Sequence, residues 1–195
     1  MKACFTGPRP KNLYGYDNKA AYFPLLSALK DTIRKLIKQG YDSFITGGAQ
    51  GLDQLAFWAV NSLKKEGYNV KNIVYVPFKG QERRWAKEGL FSQKEYNLML
   101  KQADEVHILS DMNISESNQR AINDAMYNRN HKMVDDTDAT IGIYPDFNWE
   151  LPETKSGTAE CMRYAKEQGK PIFQLSPETL KGKWLEGEEN SRVER

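Results

Sequence analysis

Short apolar runs rich in β-branched and aromatic residues alternate along this chain with longer amphipathic stretches, and that alternation restricts the fold more than any other feature. Six runs read as strands: Lys2 to Thr6, Ser43 to Thr46, Ile73 to Pro77, Glu105 to Ser110, Ala139 to Tyr144 and Pro171 to Leu175. Strands separated by helix-length segments form βαβ units, in which consecutive strands lie parallel. The pattern predicts a three-layer α/β/α architecture with a mostly parallel sheet of about six or more strands.

The intervening stretches carry helical periodicity. Leu25, Leu26, Leu29, Ile33, Leu36 and Ile37 recur at spacings of three and four, and Gly40 closes the stripe. Leu52 to Lys65 repeats the logic, with Leu52, Leu55, Ala56, Ala59, Val60 and Leu63 on one face and Gly67 beyond the end. Gln93 to Ala103, Asn118 to Met126 and Glu160 to Gln168 are further helix candidates, and Gly169-Lys170-Pro171 punctuates the entry to the last strand. The result is a Rossmann-like arrangement, whose ligands bind beyond the carboxyl ends of the strands.

A length of 195 residues suits one domain with its own core. That domain is expected over residues 1–176. Residues 177–195 are expected to form a charged tail, solvated and partly disordered from Gly182 onward, because Lys, Glu, Gly, Asn and Arg dominate there. No run approaches the roughly 20 apolar residues of a membrane span, and Met1 to Phe5 leads straight into a strand pattern without signal-peptide character. A cytoplasmic protein is expected.

Cys4 and Cys161 are too few and too far apart for a disulfide framework, and read as small buried hydrophobes. His107 and His131 lack ligand-spaced partners, so neither a metal nor a cofactor is expected. A net charge of +2, from 28 basic and 26 acidic residues, gives no electrostatic footprint for nucleic acid or an anionic membrane.

Three motifs follow strands, and a parallel sheet places all three on one edge. In Gly47-Gly48-Ala49-Gln50-Gly51-Leu52-Asp53 a strand feeds glycines and then a helix. Such a turn lets backbone approach a ligand and sets a helix N-terminus, which favours an anion. A tight turn with Asp53 complementing the helix dipole is the alternative. Ser156-Gly157-Thr158-Ala159-Glu160 opens a later helix, where a hydroxyl either caps the helix or meets a phosphate. Thr6-Gly7-Pro8-Arg9 puts a guanidinium at the same edge, suited to bidentate phosphate contact. Arg129 and Trp85 are assigned there too, Arg129 to neutralise charge and Trp85 either to stack on a base or to pack in the core.

These residues in this order resemble the SLOG superfamily, and more closely its YpsA-like branch, over roughly residues 1–176. The resemblance rests on Thr6-Gly7-Pro8-Arg9, on Gly47-Gly48 with Gly51 and Asp53, and on Pro77-Phe78 with Gln81 and Trp85. Tyr96 with Gln102-Ala103-Asp104, Arg129-Asn130 with Met133-Val134-Asp135, and Gly157-Thr158 with Tyr164-Ala165 and Gly169-Lys170-Pro171 complete it. It implies a Rossmann-like fold and a pocket for a nucleotide-derived ligand such as ADP-ribose, an NAD-like molecule or a signalling nucleotide. Phosphates would lie near Gly47 to Gly51 and Gly157-Thr158, the base or ribose near Trp85 and Tyr144, with Gln81 in the same pocket. Relatives of this superfamily often self-associate, which implies a homo-oligomer.

The superfamily also contains the Lonely guy phosphoribohydrolases, which cleave the N-glycosidic bond of nucleoside 5′-monophosphates. Gly47, Gly48 and Gly51 match their first glycine turn, and Arg129 with Met133 matches their arginine-methionine spacing. Their second turn places a glutamate where this chain has Cys161, with an acid one position earlier at Glu160. Neighbouring helix residues point about 100° apart, so Glu160 is expected to aim elsewhere. Arg129 and Glu160 remain the catalytic candidates of that reading. A third reading, single-stranded DNA binding as in the related DNA-processing protein A, meets a near-neutral chain without a basic, aromatic-interleaved groove.

Overall fold

A computed structural model describes residues 1–112, 117–145 and 149–185. Six strands run parallel: β1 (Lys2–Thr6), β2 (Ser43–Thr46), β3 (Lys71–Val76), β4 (Glu105–Ile108), β5 (Ala139–Ile143) and β6 (Ile172–Leu175); a seventh, β7 (Gly182–Leu185), pairs antiparallel with β6. Among the described residues five α-helices connect them: α1 (Phe23–Lys38), α2 (Leu52–Lys65), α3 (Gln93–Gln102), α4 (Gln119–Asp135) and α5 (Gly157–Glu167). The sheet order is β4-β3-β2-β1-β5-β6-β7. The chain steps outward from β1 to β4 and then returns to the other side of β1. Its direction of winding therefore reverses between β1 and β5, the place where open α/β sheets leave a crevice.

Alternation along β1 shows how the layers are built. Ala3 and Phe5 join the core beneath α1 and α2, with Leu25, Leu29, Ile33, Leu52 and Ala56. Cys4 between them points to the opposite face, with Met133 and Val134 of α4 and Cys161 and Met162 of α5. Tyr96 and Met99 of α3 pack with Phe57 of α2 and with Val74 and Val76 of β3. α1, α2 and α3 thus cover one face and α4 and α5 the other, the three layers that the alternation predicts.

Two expectations are corrected. α4 runs to Asp135, well past Met126, and its second half escapes the apolar pattern because Arg129 is among its buried positions, alongside Ile122, Met133 and Val134. An arginine on the inward face breaks the apolar period from which a helix is read. The second correction is at the end of the chain. Gly182–Leu185, expected to begin a solvated tail, pair with β6 and extend the sheet, so the structured region passes residue 176. An edge strand with exposed Gly182 and Lys183 has no apolar alternation to give it away. Residues 186–195, the rest of that expected tail, lie outside the described residues.

β7 is held by Trp184, whose ring meets Phe173 edge-on at 5.4 Å and stacks on Tyr41 at 6.5 Å. Trp184→Ala is expected to cost roughly 1–2 kcal/mol, the worth of a half-buried aromatic with two ring partners. Urea denaturation measures it, and a loss below the error of the extrapolation would mean that β7 is not integral to the fold. No helix among the described residues is long and apolar enough to cross a membrane.

Candidate functional site

The loop after β1 and the start of α2 are clamped together. A Cβ on Gly7 would stand 2.0 Å from Leu52 Cδ2, so only a glycine lets the loop pass so close. The Leu52 N–H donates to the Pro8 carbonyl at 3.3 Å. Gly51, the N-cap of α2, has φ of +91°, and a Cβ there would lie 2.8 Å from the same carbonyl oxygen. The Asp53 carboxylate accepts from the Ala49 N–H at 3.1 Å. The protein's own oxygens therefore serve this helix start.

The glycines of the β2 turn were expected to admit a ligand. The space beside them is filled by side chains of the protein itself. A Cβ on Gly47 would fall 1.2 Å from Arg129 Nη1, and one on Gly48 would fall 3.0 Å from both Tyr96 and Met99. Gln81 Nε2 donates to the Gly47 carbonyl at 3.3 Å and to the Tyr96 hydroxyl at 2.8 Å, and Gln81 is itself buried. Trp85 meets Tyr96 edge-on at 5.3 Å and packs against the α3 cluster. Gln81 and Trp85, both assigned from sequence to the ligand, here support the turn from behind.

What this packing creates is a charge cluster. Arg129 Nη1 lies 3.4 Å from Asp53 Oδ2, with the two side chains only 5% and 8% exposed. Arg129 Nε also donates to Asn130 Oδ1 at 3.0 Å. Arg9 completes the group: burial pushes its guanidinium pKa below the usual range, the negative charge of Asp53 opposes that fall, and the positive charge of Arg129 adds to it. Among the described residues no hydrogen bond or ion pair engages the Arg9 side chain. Two guanidinium groups and one carboxylate leave a net positive charge at the edge of the sheet.

Two cavities open at this edge of the sheet, and Arg129 lines the second of them. One, of about 650 Å³, lies over the β1–β5 crevice and is lined by Pro8, Tyr14, Tyr144, Lys155, Ser156 and Leu180 among others. The second, of about 660 Å³, lies between the loops after β3 and β4 and helix α4, and includes Ser110, Asp124, Asn128, Arg129 and Lys132. Ser156 caps α5 by accepting from the Ala159 N–H at 3.4 Å. A Cβ on Gly157 would meet nothing within 4 Å, so the start of α5 opens to space where that of α2 does not. Thr158 is buried beneath it. The loop leading there is fastened by Arg163, which donates to the carbonyls of Trp149 at 2.6 Å, Leu151 at 3.1 Å and Thr154 at 3.3 Å.

Glu160 and Cys161 part company on α5. Glu160 Oε1 is 2.5 Å from His131 Nε2, and the His131 ring stacks on Tyr164 at 3.7 Å. The second Glu160 oxygen is buried without a hydrogen-bond partner. Cys161 faces the end of β1 instead; burial pushes its thiol well above the usual range, and a hydrogen bond with Thr6 only partly offsets this. Among the described residues no group of three or more His, Cys, Asp or Glu side chains is placed to hold a metal ion.

Sequence reasoning thus found Thr6, Gly7, Arg9, Asp53, Arg129, Tyr144, Ser156, Gly157 and Thr158 at this edge. It missed Asp124, Asn128 and Lys132, because they line the second cavity only as parts of an α4 longer than its apolar pattern. Lys155 was next to a chosen residue and carried no motif of its own.

Residues 3–180 match the YspA SLOG family. The SPbeta prophage-derived protein YoqJ of Bacillus subtilis is 33% identical over 166 residues, which is 80% of this chain and 91% of that protein. UPF0398 protein YpsA of Bacillus subtilis is 25% identical over 178 residues, 90% of this chain and 92% of that one. Among solved structures, DNA processing protein A from Streptococcus pneumoniae superimposes with a TM-score of 0.53 at 16% identity. That match takes in 89% of this chain but only 50% of the other, and it speaks for the fold alone.

Proposed function

The chain belongs to the YspA SLOG family, and from that premise we propose that it binds a nucleotide-derived ligand whose anionic group sits on Arg9 and Arg129. The observation that carries this reading is the half-buried Arg9 guanidinium, which among the described residues has no hydrogen bond or ion pair of its own beside the closed Arg129–Asp53 pair. A partly desolvated cation without a hydrogen-bond acceptor costs free energy that an incoming phosphate repays, since charge-assisted and bidentate contacts are among the strong ones. The neighbouring β1–β5 cavity, with Tyr14 and Tyr144 in its wall, has room for a base and ribose.

Binding accounts for the site better than hydrolysis does. At the position where a phosphoribohydrolase has its glutamate stands a thiol held in its neutral form, and the adjacent Glu160 is engaged with His131. A neutral thiol cannot stabilise an oxocarbenium-like centre as a carboxylate does.

Isothermal titration with ADP-ribose, NAD and cyclic nucleotides tests the proposal. At least one of them is expected to bind the wild type, and Arg9→Gln is expected to weaken that binding by about tenfold to a hundredfold, the worth of one charge-assisted contact. Failure of every ligand to bind the wild type, or equal affinity in Arg9→Gln, overturns it.

A further inference from the structure

The two edges of the sheet are built differently. β7, at one end, carries Lys183 and follows Lys181, both exposed, and charged side chains of this kind discourage further strand pairing. β4, at the other end, has no lysine, proline or glycine, and its Val106 and Ile108 are 41% and 46% exposed.

The register of β4 shows what it offers. Val106 lies opposite Val74 and Ile108 opposite Val76, so both apolar side chains rise on the α3 face, where Leu98 of α3 is also 41% exposed. Glu105 and His107 lie on the other face, 3.2 Å apart, with the His107 ring against Tyr75 at 5.0 Å. The Leu109 N–H donates inward to the Val76 carbonyl at 2.9 Å. Backbone groups alternate in direction along a strand. The N–H and C=O of Val106 and Ile108 therefore point away from the sheet.

We propose that β4 pairs antiparallel with β4 of a second copy of this chain, about a two-fold axis at His107, to join two sheets into one. In this register Val106 of one protomer faces Ile108 of the other, and each such pair exchanges both of its backbone hydrogen bonds. The two-fold repeats the contact, so the surface is complementary to itself. Glu105 then lies diagonal to His107 of the second copy, within cross-strand reach of a ring nitrogen that it already meets within its own strand. A slip of one residue sets outward backbone groups against inward ones. A slip of two places Ile108 opposite Asp104, a carboxylate already held by Lys64, in one direction, and Val106 opposite Ser110 in the other. The register about His107 matches apolar with apolar at both hydrogen-bonded pairs.

Cross-linking reads the axis directly. In a non-hydrogen-bonded antiparallel pair the facing Cα atoms are about 4.5 Å apart, within the roughly 4.4–6.8 Å that a disulfide spans. The two native cysteines are buried. His107→Cys is expected to give predominantly disulfide-linked dimer under mild oxidation, and Lys183→Cys at the opposite edge to give none. Sedimentation of the full chain at micromolar concentration is expected to show a dimer for the wild type and a monomer for Ile108→Lys, which still unfolds in one cooperative thermal transition, its midpoint lowered by the loss of dimer linkage. A monomeric wild type, a dimer that survives Ile108→Lys, or cross-linking of His107→Cys no faster than that of Lys183→Cys overturns the proposal.

Discussion

Arg129→Met is expected to destabilise the protein by about 3–5 kcal/mol, because it removes one partner of a buried ion pair and leaves the other charge in place. Arg129 and Asp53 are 5% and 8% exposed. After the substitution, the Ala49 N–H is the one hydrogen-bond donor left to the Asp53 carboxylate among the described residues. Arg9 is near enough to compensate in part through its charge, which favours the lower end of the range. Urea denaturation at neutral pH gives the value. Adding Asp53→Asn should recover part of the loss, since an amide oxygen still accepts from Ala49 and no uncompensated charge remains. A loss below about 1 kcal/mol would place the pair among exposed ion pairs, which contribute little.

Gly47→Ala is expected to cost about 2 kcal/mol, within the range of overpacked interiors. The new methyl group would stand 1.2 Å from Arg129 Nη1 and 2.0 Å from Cζ, so the guanidinium has to leave its place over the turn. Backbone conformation is not the obstacle, because among the Gly47-Gly48 pair only Gly48 has a positive φ. The cost should fall sharply when Gly47→Ala is made in the Arg129→Met background, since a shared contact makes neighbouring substitutions non-additive. Equal costs in the two backgrounds would show that something other than Arg129 requires the glycine. Because Arg129 also belongs to the proposed anion site, the same substitution should weaken ligand binding.

Both expectations turn on Arg129, which is far in sequence from the Asp53 and Gly47 that it meets. The lack of a side chain at Gly47 was legible as room for a close approach, and Asp53 as an acid at a helix start. The occupant of that room was not legible. Arg129 reaches Gly47 across 82 positions of sequence, and it arrives on a stretch of α4 whose polar composition hides the helix that carries it. Cys161 and Glu160 show the opposite case. Their one-residue offset was visible, and helical geometry required them to diverge; the structure directs one to Thr6 and the other to His131. β7 escaped notice because a short edge strand is held by its neighbour and by Trp184, with no alternation of its own.

The sequence by itself determined the order of the parallel strands and their helices and the edge at which the strand-following motifs gather. Those follow from periodicities of two and 3.6 residues, which are properties of the local backbone and are written into every short window. Only the tertiary structure decided that the glycine turn encloses Arg129, that Gln81 and Trp85 buttress it, and that Arg9 is left without a hydrogen bond or ion pair among the described residues. Such outcomes depend on which distant side chain reaches a given space first at close-packed density, and no local pattern encodes that.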